Sequence, residues 1–174
     1  MYTIRQANPS DKDKILTLYK RVAEKTMGIA RTESEIDENY VQSFMDNSRE
    51  TGIELVIDAN SDSKEIIAEI HCYKLGPKVF SHVLSELTIV IDPDFQGKGI
   101  GKSIFTHLLD FISANRSDIL RVELITRESN QKAINFYKKL GFGLEGKFEN
   151  RITTNKGSFE ADIPMAWFNK NYSV

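Results

Sequence analysis

Apolar side chains recur at helical spacing in four stretches of this chain and cluster in short β-type runs between them. Tyr2 to Gln6 predicts a first strand, and Asn8-Pro9-Ser10-Asp11 supplies helix-start chemistry. Ile15, Leu16, Leu18, Tyr19, Val22 and Ala23 then mark a first helix, and Ile36, Tyr40, Val41 and Phe44 a second, from Glu33 to Asn47. Ile53 to Ala59 and Glu65 to Tyr73 read as strands joined by the polar turn Asn60-Ser61-Asp62-Ser63. A strand from Leu87 to Ile91 stops at Asp92-Pro93, and Ile104, Phe105, Leu108, Leu109 and Ile112 mark a helix ending near Ala114. Leu120 to Thr126 is a further strand, and Asn130 to Leu140 a helix stopped by Gly141. Phe142 to Thr153 and Phe159 to Trp167 form a closing hairpin around Thr154-Asn155-Lys156-Gly157. The pattern predicts one mixed α/β domain over residues 1–174, built on a central, mostly antiparallel sheet.

Composition narrows the function class. A chain of 174 residues, 40% hydrophobic and 28% charged, buries a sizeable core and is ordinary for a soluble globular protein. Its net charge of −2, with basic residues dispersed, does not point to nucleic acid. The single Cys72 excludes an internal disulfide and a cysteine-based metal site, and His71, His82 and His107 do not form a metal-ligand spacing, so no metal is expected. The first fifteen residues lack a long apolar segment, so neither a signal peptide nor a membrane span is expected, and a cytoplasmic enzyme is.

The chemistry concentrates after the Leu87–Ile91 strand. Gln96-Gly97-Lys98-Gly99-Ile100-Gly101 is a glycine-rich turn opening a helix. The first N–H groups of a helix have no intrahelical acceptor, and the helix dipole makes that end an anion site. Gly97, Gly99 and Gly101 let the backbone approach a phosphate, and Lys98 and Lys102 add charge. A P-loop needs four residues between its first glycine and Gly-Lys-Ser; Gly101-Lys102-Ser103 is present, but residue 96 is glutamine. A dinucleotide fingerprint needs glycine where Lys102 stands. A Q-x-x-G-x-G turn after an apolar strand and Asp-Pro remains.

That turn resembles the acetyl-CoA pyrophosphate loop of the GNAT N-acetyltransferase superfamily, including its phosphinothricin-type and ribosomal-protein-alanine-type members. The segment Asn130-Gln131-Lys132-Ala133-Ile134-Asn135-Phe136-Tyr137-Lys138-Lys139-Leu140-Gly141-Phe142 is similar to a second block of the same family, about thirty residues further on. The two blocks and their flanking strands cover roughly residues 83 to 145; the first eighty residues match in element order alone. The resemblance implies the GNAT fold, with about seven strands and four helices, and acetyl-CoA as co-substrate. It places the pyrophosphate on Gln96, Gly97, Lys98, Gly99, Ile100, Gly101 and Lys102. The backbone of Ile89, Val90 and Ile91 would hold the pantetheine and the acetyl carbonyl, Asn130 would hydrogen-bond the pantetheine arm or its water, and Tyr137 would protonate the departing thiolate. Asn130 and Tyr137 are two helical turns apart and share a face, roughly 10 Å along the axis. A tyrosine hydroxyl is neutral and protonated at physiological pH, as a proton donor must be.

Transfer of an acyl group to an amine also needs a base, because an alkylammonium is not nucleophilic. Strand alternation puts Glu86, Thr88 and Val90 on one face, and a carboxylate entering an apolar strand needs a reason. Glutamate at the corresponding place serves as base or substrate anchor in some relatives, so Glu86 or a water relay is the expected base. A carboxylate that other relatives carry five residues before the helix asparagine is Ile125 here.

The resemblance assigns the amine acceptor to Thr26–Glu35 and Phe148–Gly157. Glu33, Glu35, Asp37 and Glu38 would attract a cationic amine or simply form a solvated helix face, and the acceptor stays unidentified. Dimers are common among relatives, and Ala166-Trp167-Phe168 would pack either in the core or across a homodimer. Two rival readings are a non-catalytic acyl-CoA sensor that keeps the donor site and, from Gly101-Lys102-Ser103, a nucleotide-phosphate enzyme.

Overall fold

The computed structural model describes residues 2–26, 29–59, 65–154 and 157–173. They form a mixed α/β fold of eight strands and four α-helices. The strands are β1 (Ile4–Gln6), β2 (Ile53–Asp58), β3 (Ile66–Tyr73), β4 (Val83–Ile91), β5 (Arg121–Arg127), β6 (Gly143–Leu144), β7 (Phe148–Thr153) and β8 (Phe159–Phe168). The helices are α1 (Lys12–Lys25), α2 (Glu38–Thr51), α3 (Ile100–Asn115) and α4 (Gln131–Lys139). Strands hydrogen-bond in the order β1-β2-β3-β4-β5-β8-β6, with β7 also on β8. The chain divides into two compact units, Met1–Lys74 with Thr88–Phe111 and Leu75–Leu87 with Ile112–Val174. Strand β4 contributes to both, the division falling between Leu87 and Thr88.

In the first unit β1, β2 and β3 pair antiparallel, Ile4 opposite Ile57 and Leu55 opposite Ile70. Seven of the eight β3 residues are buried, as a strand covered on both faces requires. Helix α1 turns Ile15, Leu18, Tyr19 and Val22 inward, and α2 turns Val41, Phe44 and Met45 onto the same core. Each fully buried Ile, Leu or Phe contributes about 1.5–3 kcal/mol of transfer free energy. The second helix begins later than its apolar pattern predicts. Glu33–Glu35 is a separate 3-10 turn closed by Thr32 and Glu35, and Asp37 caps the new helix by accepting from the Tyr40 N–H at 2.8 Å. At its other end Gly52 lies so close to β3 that a Cβ would stand 2.0 Å from the Cys72 carbonyl oxygen. The predicted turn at Asn60–Ser63 lies outside the described residues, as do Asn155 and Lys156 of the closing hairpin.

In the second unit β5 pairs antiparallel with β8 over seven residues, from Arg121–Phe168 to Arg127–Asp162. The opposite edge of β8 takes β6 and β7. Phe142 to Thr153 is therefore two strands rather than one, and the reason is Pro164. Its carbonyl accepts the Glu145 N–H at 3.0 Å, but proline has no N–H to return, so the ladder breaks there. Parallel pairing of β4 with β5 is confined to Val83–Arg121 and Leu84–Val122. No helix among the described residues is long and apolar enough to cross a membrane.

Candidate active site

The glycine turn sits on a braced strand end. Asp92 follows β4 as a buried carboxylate that accepts the Asp94 N–H at 2.9 Å, closing the short turn Pro93–Phe95. Its N–H donates to the Ile67 carbonyl of β3. Arg21 of α1 brings a guanidinium nitrogen to 3.1 Å of Asp92, and Lys25 brings its ammonium to 3.6 Å of Asp94. The pattern of the chain shows Asp92-Pro93 as a strand stop; it gives no sign of the two α1 cations that hold this turn, because they lie far away in sequence.

Gln96 donates from Nε2 to the Ile91 carbonyl at 3.2 Å, so the residue heading the motif ties the loop to the strand it leaves. Gly97 and Gly99 have φ of 76° and 81°, which L-residues with a Cβ adopt only under strain. A Cβ on Gly101 would come within 2.7 Å of Ile91 Cδ1. Ile100 is buried and anchors the first turn of α3, and the Ser103 N–H is the first to reach an acceptor, the Gly99 carbonyl at 3.0 Å. Among the described residues no acceptor meets the N–H groups of Gly99, Ile100, Gly101 or Lys102. These donors lie at the positive end of a sixteen-residue helix, the arrangement a bound pyrophosphate needs. Lys102 is exposed beside them, whereas Lys98 turns back, donating to the Asp94 carbonyl at 3.0 Å and lying over the Phe95 ring at 5.0 Å.

Ile89, Val90 and Ile91 precede this loop in the same unit, with Val90 buried in its core. Glu86, Asn130 and Tyr137 belong to the other unit. Glu86 departs from the alternation read from sequence: its φ is 52°, a left-handed conformation inside a strand, and its side chain is exposed. A period-two rule assumes extended backbone at every residue, so it fails across this position, and the carboxylate bears no penalty of burial. The pairing of β4 with β5 has already ended two residues earlier.

Asn130 is the N-cap of α4, its Oδ1 accepting the Ala133 N–H at 3.1 Å. At the far end the Gly141 N–H donates to the Lys138 carbonyl and the Phe142 N–H to that of Tyr137, with Gly141 at a φ of 95°. That is a Schellman cap, and its apolar contact is Phe142 against Tyr137, ring centroids 6.0 Å apart. The Phe136 ring centroid lies 5.5 Å from that of Tyr137. Tyr137 is only half-buried in area, but burial of its hydroxyl raises its pKa to about 12. The phenol is therefore protonated throughout the physiological range.

In the segments assigned to the acceptor, Arg31 lies 4.2 Å over the Tyr40 ring and Arg151 lies 4.8 Å over Phe148, an exposed aromatic of β7. The acidic run is mostly used locally: Glu35 accepts from the Thr32 N–H and hydroxyl, Asp37 caps α2, and Glu38 pairs with Lys12 at 3.2 Å. In β8, Ala166 is buried and Phe168 is half exposed under Arg121.

Residues 16–142 match the model of the acetyltransferase (GNAT) family, and the chain belongs to that family. It is 32% identical over 91 residues to the spermidine N(1)-acetyltransferase of Escherichia coli strain K12, covering 52% of this chain and 48% of that one. It is 36% identical over 84 residues to the ribosomal protein bS18-alanine N-acetyltransferase of Salmonella typhimurium strain LT2, covering 47% and 55%. The chain thus spans about half the length of these curated relatives. Among solved structures, the acetyltransferase of the GNAT family from Streptococcus pneumoniae matches with a TM-score of 0.85 at 21% identity, over 97% of this chain and 99% of that one. A phosphinothricin acetyltransferase from Sinorhizobium meliloti in complex with acetyl-CoA matches at 0.77 and 16% identity, over 99% and 90%. At such identities the structural likeness is one of fold.

Proposed function

We propose that this chain is an acetyl-CoA-dependent N-acetyltransferase whose acceptor is a primary amine of a small molecule or a peptide, and that residues 1–174 serve as one catalytic domain. The observation that carries the reading is the uncapped start of α3, where four consecutive N–H groups and three glycines form an anion cradle braced by Gln96 and Asp92. Curated relatives that act on spermidine and on a protein alanine support an amine acceptor and do not choose between the two kinds.

In this reading the N–H groups of Gly97 to Lys102 hold the pyrophosphate of the donor, and Lys98 swings out of its own loop to join them. The thioester supplies an activated acetyl carbonyl. Backbone groups of Ile89 to Ile91 orient the pantetheine and donate to the carbonyl oxygen as it becomes an oxyanion. Glu86, directly or through a water, takes a proton from the incoming ammonium so that its nitrogen attacks the carbonyl carbon. Asn130 positions the pantetheine arm through the amide N–H groups that its capping oxygen leaves available. The C–S bond breaks as the tetrahedral centre collapses, Tyr137 donates its proton to the sulfur, and the second proton of the nitrogen returns through water to the phenolate, leaving an amide and a free thiol.

The test is thiol release from acetyl-CoA across a panel holding a polyamine, free amino acids and peptides with a free N-terminus. Saturable release with at least one amine, above hydrolysis without acceptor, is expected. Absence of acetyl-CoA binding by calorimetry at about millimolar concentration would sink the donor assignment, and binding without transfer to any amine would favour a sensor.

A further inference from the structure

The glycine turn has no net charge of its own with which to attract an anion. From Asp92 to Lys102 the chain carries two carboxylates, Asp92 and Asp94, and two ammonium groups, Lys98 and Lys102, and these cancel. Both carboxylates adjoin the cradle. Asp92 follows Ile91, whose carbonyl accepts from Gln96 and whose Cδ1 lies 2.7 Å from where a Cβ on Gly101 would stand. The Asp94 carbonyl accepts from Lys98 Nζ at 3.0 Å. A dianionic pyrophosphate is repelled by neighbouring carboxylates, since the Debye length at 0.1 M salt is about 10 Å. Asp92 is needed where it stands, as the cap of Pro93–Phe95, so its charge has to be offset rather than removed.

Helix α1 supplies the offset. Arg21 and Lys25 are four residues apart and lie on one face of that helix. An Nη1 of Arg21 lies 3.1 Å from the buried Asp92 Oδ2, and Lys25 Nζ lies 3.6 Å from Asp94 Oδ2. Among the described residues neither Asp92 Oδ2 nor Arg21 Nε makes a hydrogen bond, so charge rather than a directed bond joins that pair. With Arg21 and Lys25 included, four cations face two carboxylates around the turn. All of these groups lie in the first unit.

We infer that Arg21 and Lys25 are positioning residues for the donor: by neutralising Asp92 and Asp94 they set the affinity of the glycine turn for the pyrophosphate of acetyl-CoA. The inference rests on the donor reading of this turn. It differs from a purely mechanical brace in the sign of its effects. If the pairs only held the backbone, removing either partner would weaken binding. A counter-charge acts oppositely at its two ends: loss of the cation weakens an anion, and loss of the carboxylate tightens it.

The test is calorimetry of acetyl-CoA with the full chain at about 50 and about 500 mM salt. Lys25 and Asp94 have side chains 46% and 71% exposed, so substitutions there leave folding intact. At low salt Lys25→Met should weaken acetyl-CoA about threefold and Asp94→Asn should tighten it about twofold. The double variant restores the balance of charge and should return to within about 1.5-fold of the wild type. Arg21→Met should weaken binding about tenfold, because a buried pair is less screened, and Arg21→Lys should recover most of that loss. High salt should remove most of the Lys25 and Asp94 differences. S-acetylpantetheine, which lacks the pyrophosphate, should bind wild type and variants alike when titrated by amide NMR.

Equal or weaker binding in Asp94→Asn, unchanged affinity in Lys25→Met, differences that persist at high salt, or matching losses for S-acetylpantetheine would each overturn the inference and leave acetyl-CoA as donor. Absence of acetyl-CoA binding in the wild type would overturn the donor reading and the inference together.

Discussion

Helices α3 and α4 each open at a polar turn, yet their first turns are built in opposite ways. Helix α4 is closed at both ends: Asn130 satisfies the Ala133 N–H, and Gly141 and Phe142 satisfy the last carbonyls. Helix α3 begins with three glycines in six residues and N–H groups that meet no acceptor among the described residues. A capped helix is finished as structure and has side chains alone left to offer, among them Tyr137, whose ring lies 5.5 Å from that of Phe136 and 6.0 Å from that of Phe142. An uncapped helix lacks a cap worth about 1 kcal/mol and keeps its backbone donors for an anion. The brace of that open end comes from elsewhere: Arg21 and Lys25 reach it from α1.

The sharpest test of the α4 side is Tyr137→Phe. Turnover should fall about 100-fold, a loss of about 2.7 kcal/mol in the transition state, while acetyl-CoA affinity moves less than about threefold. Unchanged turnover would leave Tyr137 as packing alone. On the α3 side, Gly99→Val forces a β-branched residue to a φ of 81°. Acetyl-CoA affinity by calorimetry should drop about 30-fold, or about 2 kcal/mol. No heavy atom lies within 4 Å of the added Cβ, so backbone strain alone should lower the melting temperature, by about 2–10 °C. A large loss of stability with intact affinity would reverse the contrast between the two helices.

Asn130 separates the two roles within one residue. Asn130→Ala should cost about 1 kcal/mol of stability by losing the cap, seen in chemical denaturation. Asn130→Asp keeps the capping oxygen but has no amide donor, so stability should hold while acetyl-CoA binds about tenfold more weakly. Equal affinity in the aspartate variant would make Asn130 purely a cap. The smallest expected effect is in the pH–rate profile. A general acid must be protonated, so activity dependent on Tyr137 is lost only as pH rises through its pKa of about 12. Turnover should therefore show no descending limb below about pH 10 from this group, and a limb near about pH 9 would assign the acid elsewhere.

Local chemistry accounts for what is legible along the chain. The Gln96–Gly101 turn, the Asn130 start and the Gly141 stop depend on neighbours a few residues away, and all three stand in the structure where the spacing puts them. The apolar pattern starts the second helix too early because Ile36 continues it; Asp37 caps between Ile36 and Tyr40 and restarts the helix. Phe142–Thr153 reads as one strand because no residue within it shows that Pro164, on the partner strand, lacks the needed N–H. Alternation gives Glu86 a face, and its left-handed φ makes that rule inapplicable.

By itself the sequence determined the glycine turn, the helix that carries Tyr137 and, apart from the break between β6 and β7, the order of strands and helices, because periodicity, glycine conformations and caps act over a few bonds. Tertiary structure decided which charges meet: Arg21 with Asp92, Tyr19 with Glu69, and Glu54 Oε1 with no partner among the described residues. Those outcomes depend on which residues a packed core brings within a few ångströms after the others have taken their partners. No spacing along the chain encodes that.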